Sequence, residues 1–315
     1  MRQNLTIVIG LVLAQIVLPF PKIHAQPGFK TNSLAFTAVG TNGFTFNTGV
    51  LRGKLRAYGK AKGLSDIEHI ATGATLDRSM GLFGHYRVFT ANQRYGTGAW
   101  DWPGEAKLQA DGRVEARWSA TEGRPFELRA TYRWATPNSL DVITTVLART
   151  NLAKFESFLA SYFAEGFTNS LACVAEPPAN PNVPGFVAAD SSFGAWLVFP
   201  RDDAAMAVFR DGRWTIPPNP VAWAQMARLA KPLGIRRDPT TGLTAVIMSP
   251  LGDVFALCTP HQTEGHRSMY LSLFGRDLKP GETARAHARL VISEKLTDTE
   301  ALKVYETYLQ QLGGK

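Results

Sequence analysis

At 315 residues and 45% hydrophobic content, the chain has ample material for a buried core, which excludes a disordered or fibrous polymer. Its formal charge of +8 comes from cations spread along strands and loops, such as Arg113, Arg117, Arg129, Arg133, Arg285 and Arg289. No basic stripe forms, so a nucleic-acid partner is not expected. Two cysteines, Cys173 and Cys258, exclude a disulfide-dense scaffold; in an oxidising compartment they pair, and otherwise they are two free core thiols.

The chain opens with Arg2, an apolar run over residues 5–18, then Pro19, Pro21 and Ile23-His24-Ala25. This pattern predicts a secretory signal peptide over residues 1–25 and a single β-sandwich domain over residues 26–315, with a secreted or periplasmic destination. The run is shorter than the roughly 20 apolar residues that span a bilayer, so no membrane span remains after cleavage.

Period-two alternation dominates the chain beyond residue 25. Phe126, Leu128, Ala130, Tyr132 and Trp134 share one face, with Glu127, Arg129, Thr131 and Arg133 on the other. Residues 113–118 and 284–290 repeat the pattern. Turn signals at Asn42-Gly43, Asp111-Gly112, Thr136-Pro137-Asn138, Asp211-Gly212, Leu251-Gly252-Asp253 and Lys279-Pro280-Gly281 imply many hairpins. With no βαβ rhythm, the fold class is all-β: a large antiparallel sandwich with a short C-terminal helix.

Residues 155–167 fit strand and helix spacing about equally and are read as strand. The Pro-rich loop 176–185 is expected to divide the sandwich. Helices are expected over residues 219–230, capped by Asn219, and over residues 298–312, where Thr297 and Glu300 have capping-box spacing. Asp202 and Asp203 read as surface residues on a turn.

Two polar clusters carry the candidate chemistry. Residues 84–103 hold His85, Tyr86, Arg87, Arg94, Trp100, Asp101 and Trp102. Flat rings there suit pyranose faces, and charged groups suit hydroxyls and carboxylates, although the same aromatics also fill ordinary β-cores. Residues 259–270 hold His261, Glu264, His266, Arg267 and Tyr270, an acid and base pairing of the kind that ring opening, epimerisation and β-elimination need. Nucleotide loops, the nucleophile elbow and the helical zinc motif are missing from the sequence, so no cofactor or metal is expected.

Tyr132-Arg133-Trp134 followed by residues 138–142, residues 158–163, and residues 270–274 with 277–283 together resemble the galactose mutarotase-like β-supersandwich superfamily. That superfamily includes aldose epimerases and carbohydrate domains of polysaccharide lyases and glycoside hydrolases. The resemblance implies a carbohydrate-facing sheet with a histidine acid and a carboxylate base. The chain departs from it in having no N-P-x-x-H segment, which puts mutarotation itself in doubt.

The expectation is therefore a carbohydrate-active protein acting on a poly- or oligosaccharide, an anionic one included. His85, Tyr86, His261, Glu264 and His266 would move protons, while Arg87, Arg94, Trp100, Asp101, Trp102, Arg267 and Tyr270 would bind substrate. The rival is a non-catalytic glycan-binding or envelope protein using the same aromatics.

Overall fold

The computed structural model describes residues 34–40, 43–57, 63–78, 80–91 and 93–314. The expected leader, residues 1–25, lies outside them, as does Asn42 of the expected Asn42-Gly43 turn.

Among the described residues the strands form three sheets. The short N-terminal one holds Thr37–Val39, Gly43–Asn47, Leu51–Arg56, Gly63–His69 and Ala74–Thr75. A nine-stranded sheet runs, in spatial order, through Gly185–Ala188, Asn169–Val174, Leu229–Arg237, Leu243–Met248, Thr283–Glu294, Ser139–Ala148, Phe126–Thr136, Val114–Trp118 and Glu105–Leu108. A seven-stranded sheet runs through Trp223–Gln225, Trp196–Pro200, Val254–Pro260, Ser268–Leu278, Leu152–Tyr162, Gly84–Thr90 and Gln93–Arg94. Pairing is antiparallel except between Trp196–Pro200 and Trp223–Gln225. The residues read as ambiguous from 155 onward are mostly strand, as read.

The alternation decides which side chains meet. Leu128, Ala130 and Tyr132 of the nine-stranded sheet turn inward, and Met269, Leu271 and Leu273 of the seven-stranded sheet meet that side, all of them buried. Several polar groups that cross this interface are hydrogen-bonded. The Arg236 guanidinium donates to Phe167 O at 3.1 Å and Ser268 O at 2.9 Å, and Ser170 meets Thr259 at 3.0 Å. The five-stranded sheet leans on this body through Phe46 and Trp134, whose rings lie 4.8 Å apart.

The helix Asp298–Gly313 covers the opposite face of the nine-stranded sheet. Thr297 and Glu300 close the expected capping box, a device contributing about 1 kcal/mol. Ala301, Tyr305 and Tyr308 are buried against Leu233, Ile235, Val246 and Met248. Cys173 sits in this cluster, whereas Cys258 lies on the seven-stranded sheet opposite Tyr270; both are free, buried thiols.

Several local expectations are corrected. No helix spans residues 219–230: Asn219 has φ of 57°, in the left-handed region, and Trp223–Gln225 is drawn into a sheet edge. A helix forms instead at Asp203–Phe209, where Asp202 is the N-cap and accepts from the Ala205 N–H at 2.8 Å. The loop 176–185 joins two paired strands and divides nothing. The turns at 251–253 and 279–281 carry the chain between the two large sheets rather than closing hairpins.

Candidate functional site

The outer face of the seven-stranded sheet, turned away from the nine-stranded one, is covered by residues 201–225. Arg213 fixes this cover. Its Nη1 donates to Glu156 Oε2 at 3.1 Å and to Lys154 O at 2.9 Å, while Asp211 takes Nη2 at 2.8 Å. Burial pushes the Glu156 carboxyl above the usual range against the pull of Arg213, so the guanidinium is what allows a charge there. Next to it, Trp214 packs on Phe158 and Phe89 with centroids 4.8 and 5.0 Å away.

Between cover and sheet lies a cleft of about 350 Å³. Its floor is built by register. Phe158 and Tyr162 share the outer face of Leu152–Tyr162, and Tyr270 pairs with Ala160 on the next strand. On the other side the pairing shifts between Ser157 with Val88 and Leu159 with His85, so two residues, Tyr86 and Arg87, stand opposite Phe158 alone. This β-bulge lets consecutive residues serve one face, and both line the cleft. Trp196, Trp223 and the segment 219–221 make the remaining walls.

Tyr86 is stacked on Trp100 at 4.1 Å with planes 12° apart. The Arg87 guanidinium lies 5.1 Å from the Tyr86 centroid and 5.0 Å from that of Trp214, and donates to Asn219 O at 2.7 Å. Tyr270 donates to Ser268 Oγ at 2.6 Å. Burial raises its hydroxyl to about 12 and lifts that of Tyr162 well above the ordinary value, with each tyrosine also acting on the other. Both phenols therefore stay protonated at neutral pH and serve as hydrogen-bonding groups rather than bases.

His266 stands at the rim, its ring 5.4 Å from that of Trp196. Glu264 Oε1 lies 2.7 Å from His266 Nδ1, and Oε2 accepts the His266 backbone N–H at 2.7 Å. Partial burial pulls the Glu264 carboxyl upward, but these bonds and the charges of His266 and His261 outweigh it and hold it below the usual carboxylate range. An ionised Glu264 can only accept, so Nδ1–H donates to it and Nε2 is the ring nitrogen left for proton transfer.

Of the residues singled out in the sequence, the structure gathers Tyr86, Arg87, His266 and Tyr270 around the cleft, with Glu264 behind His266. The others lie elsewhere. His85 faces the nine-stranded sheet, fully buried, with Nε2 2.8 Å from Thr144 Oγ1. Burial pushes its imidazole down to about 3, so it is neutral and sealed from solvent.

Trp100 supports Tyr86 from behind. Trp102 is core, donating to Tyr95 O at 3.2 Å under the Arg124 guanidinium, and Asp101 is exposed at the end of the 3-10 turn Ala99–Asp101. Arg94 donates to Ile216 O, Pro218 O and Thr97 O, which makes it a clamp on the cover. His261 lies 3.0 Å from Thr263 Oγ1 and does not line the cleft. Arg267 binds Gln262 O and Glu264 O at 2.7 and 3.0 Å and so holds the loop that presents His266.

The sequence reading missed Phe158, Tyr162, Trp196, Trp214 and Trp223. Phe158 and Tyr162 carried a signal in their even spacing with Ala160. Among the described residues no group of three or more His, Cys, Asp or Glu side chains is arranged to hold a metal ion.

No family model matches the chain, and no curated protein does. Solved structures do. The chain is similar to a quadruple mutant of the α-N-acetylgalactosaminidase NagBb from Bifidobacterium bifidum, at 11% identity and a TM-score of 0.53, over 85% of this chain and 39% of that longer one. A galactose 1-epimerase from Lactobacillus acidophilus NCFM matches at 11% identity and a TM-score of 0.47, over 80% of this chain and 94% of that one. A mutant of the heparan sulfate lyase HepC from Pedobacter heparinus matches at 10% and 0.44, over 87% and 38%. At these identities the expected resemblance to galactose mutarotase-like β-supersandwich proteins is one of fold alone.

Proposed function

We propose that the chain is a carbohydrate-active protein that takes a unit of a poly- or oligosaccharide into the cleft and acts on it by proton transfer through His266 and Glu264. The observation that carries this reading is the lining of the cleft: Tyr86, Phe158, Trp214, Trp223 and Tyr270 surround about 350 Å³ with hydroxyl and N–H groups among their rings. Aromatic faces take the C–H faces of sugars while such donors and acceptors take hydroxyls, and the volume falls within the range of small-molecule sites. The neighbour of like fold is named for an α-N-acetylgalactosaminidase, and sugar recognition in general is what we carry over from it.

His266 is the one imidazole in the lining, a group that can both take and give a proton. With Glu264 holding Nδ1–H, Nε2 can take a proton from the sugar and return it to another atom. No carboxylate lines the cleft among the described residues, so hydrolysis by paired carboxylates lacks its groups. Epimerisation or elimination through the imidazole fits the lining better. Secretion or periplasmic residence is part of the same proposal and rests on the leader-like residues 1–25.

The second reading, glycan binding without turnover, is favoured by the position of the dyad: the His266 side chain is 56% exposed at the rim rather than enclosed. Incubation of the purified protein with neutral and acidic glycans, read by mass spectrometry and NMR, separates the two. Unsaturated fragments or a changed anomeric or epimeric ratio support the enzyme, and unchanged but bound glycans support the binding protein. Neither binding nor change would overturn both.

A further inference from the structure

Arg87 is 4% exposed, yet no carboxylate among the described residues reaches it; its partners are the Asn219 carbonyl at 2.7 Å and the Tyr86 hydroxyl at 3.4 Å. Its Nε and Nη1 find no acceptor in the protein. The indole N–H groups of Trp214 and Trp223 are buried without acceptors as well, and all three residues line the cleft. The unmet groups there are therefore all donors. Buried polar groups are nearly always bonded, so a lining with only spare donors lacks an acceptor-rich partner.

The charge points the same way. Arg94, immediately behind, is held by the carbonyls of Ile216, Pro218 and Thr97 and has no carboxylate partner among the described residues either. Arg87 and Arg94 thus anchor the same strap, residues 216–219, through neutral oxygens and leave two positive charges uncompensated beside the cleft. Buried charges are ordinarily paired, and a bound anion supplies the pair that the fold withholds.

We propose that the cleft recognises an acidic sugar, whose carboxylate or sulfate group accepts from an unpartnered N–H of Arg87, with Trp214 and Trp223 supplying further donors. A charge-assisted N–H···O bond of this kind is stronger than one between neutral groups. The proposal rests on the carbohydrate reading above and narrows it to one substrate class.

The test is made on the ligand first, so that it needs no variant. Short uronate oligomers are titrated by calorimetry against the same oligomers as methyl esters, and sulfated galactan oligomers against unsulfated ones. The expected result is that a charged member binds at least about tenfold tighter than its neutral twin. Preference for the free acid identifies a carboxylate, and preference for the sulfated oligomer identifies a sulfate. Arg87→Met, its fold checked by circular dichroism, should bring the charged form down to its neutral twin, with Arg87→Lys between. Neutral twins binding as tightly as charged ones would overturn the acidic-sugar proposal and leave the carbohydrate reading standing. No binding by any member would overturn both.

Discussion

The carboxylate of Glu156 and the guanidinium of Arg213 meet at 3.1 Å with neither side chain exposed, and this pair joins the sheet that floors the cleft to the segment that roofs it. Removing Arg213 leaves Glu156 buried without its cationic partner, whereas removing Glu156 leaves Arg213 still paired with Asp211. Arg213→Met alone should cost roughly 3 kcal/mol, measured by urea unfolding, and Glu156→Leu less. The double variant, which leaves no Glu156 charge behind, should retain more stability than Arg213→Met.

His85 makes stability depend on pH although it takes no part in the cleft. Burial holds its folded value near 3 against an ordinary 6.5, so the unfolded chain binds the extra proton between those values. The stabilising contribution is complete above about pH 6.5 and is lost as pH falls toward 3, amounting to roughly 3 kcal/mol by pH 4. Asp77, buried and raised to about 6, works oppositely, losing its contribution as pH rises from 3.8 through 6. The readable quantity is thus the difference between wild type and His85→Gln across acid unfolding curves, with the variant losing less on acidification.

Replacing His266 separates chemistry from binding. If turnover is found, His266→Gln should lower kcat by roughly a hundredfold or more while changing glycan affinity little. Glu264→Gln should lose less, because the amide still accepts from Nδ1–H but no longer favours an imidazolium. Loss of affinity without loss of kcat in His266→Gln would assign the ring to binding.

Trp100 acts at one remove. Trp100→Ala leaves Tyr86 without its stacked support, so it should weaken glycan binding several-fold without touching the ligand. A protection experiment on Tyr86, such as tyrosine nitration with and without glycan, should show the ring more reactive in the variant.

Much of the architecture is written locally. Alternation at residues 126–134 names an inward and an outward face, and the Thr297–Glu300 spacing names the last helix; both are decided within a few residues. The cleft is only half legible because it depends on non-local facts. Strict alternation puts Arg87 on the face of His85; a bulge set by pairing with Leu152–Tyr162 moves it to the face of Tyr86. Nothing in residues 211–223 announces that Arg213 will meet Glu156, so Trp214 and Trp223 are invisible as walls in the sequence, while Trp100 and Trp102, adjacent there to the polar cluster, are overvalued.

The sugar site stands or falls on one titration: the intrinsic fluorescence of Trp196, Trp214 and Trp223 followed as a bound glycan from the panel is added to wild type and to Trp223→Ala. A saturable change is expected in wild type, with a binding loss of about tenfold or more in the variant. No saturable change with any glycan, or equal affinity in both proteins, would contradict the assignment of the sugar site to this cleft.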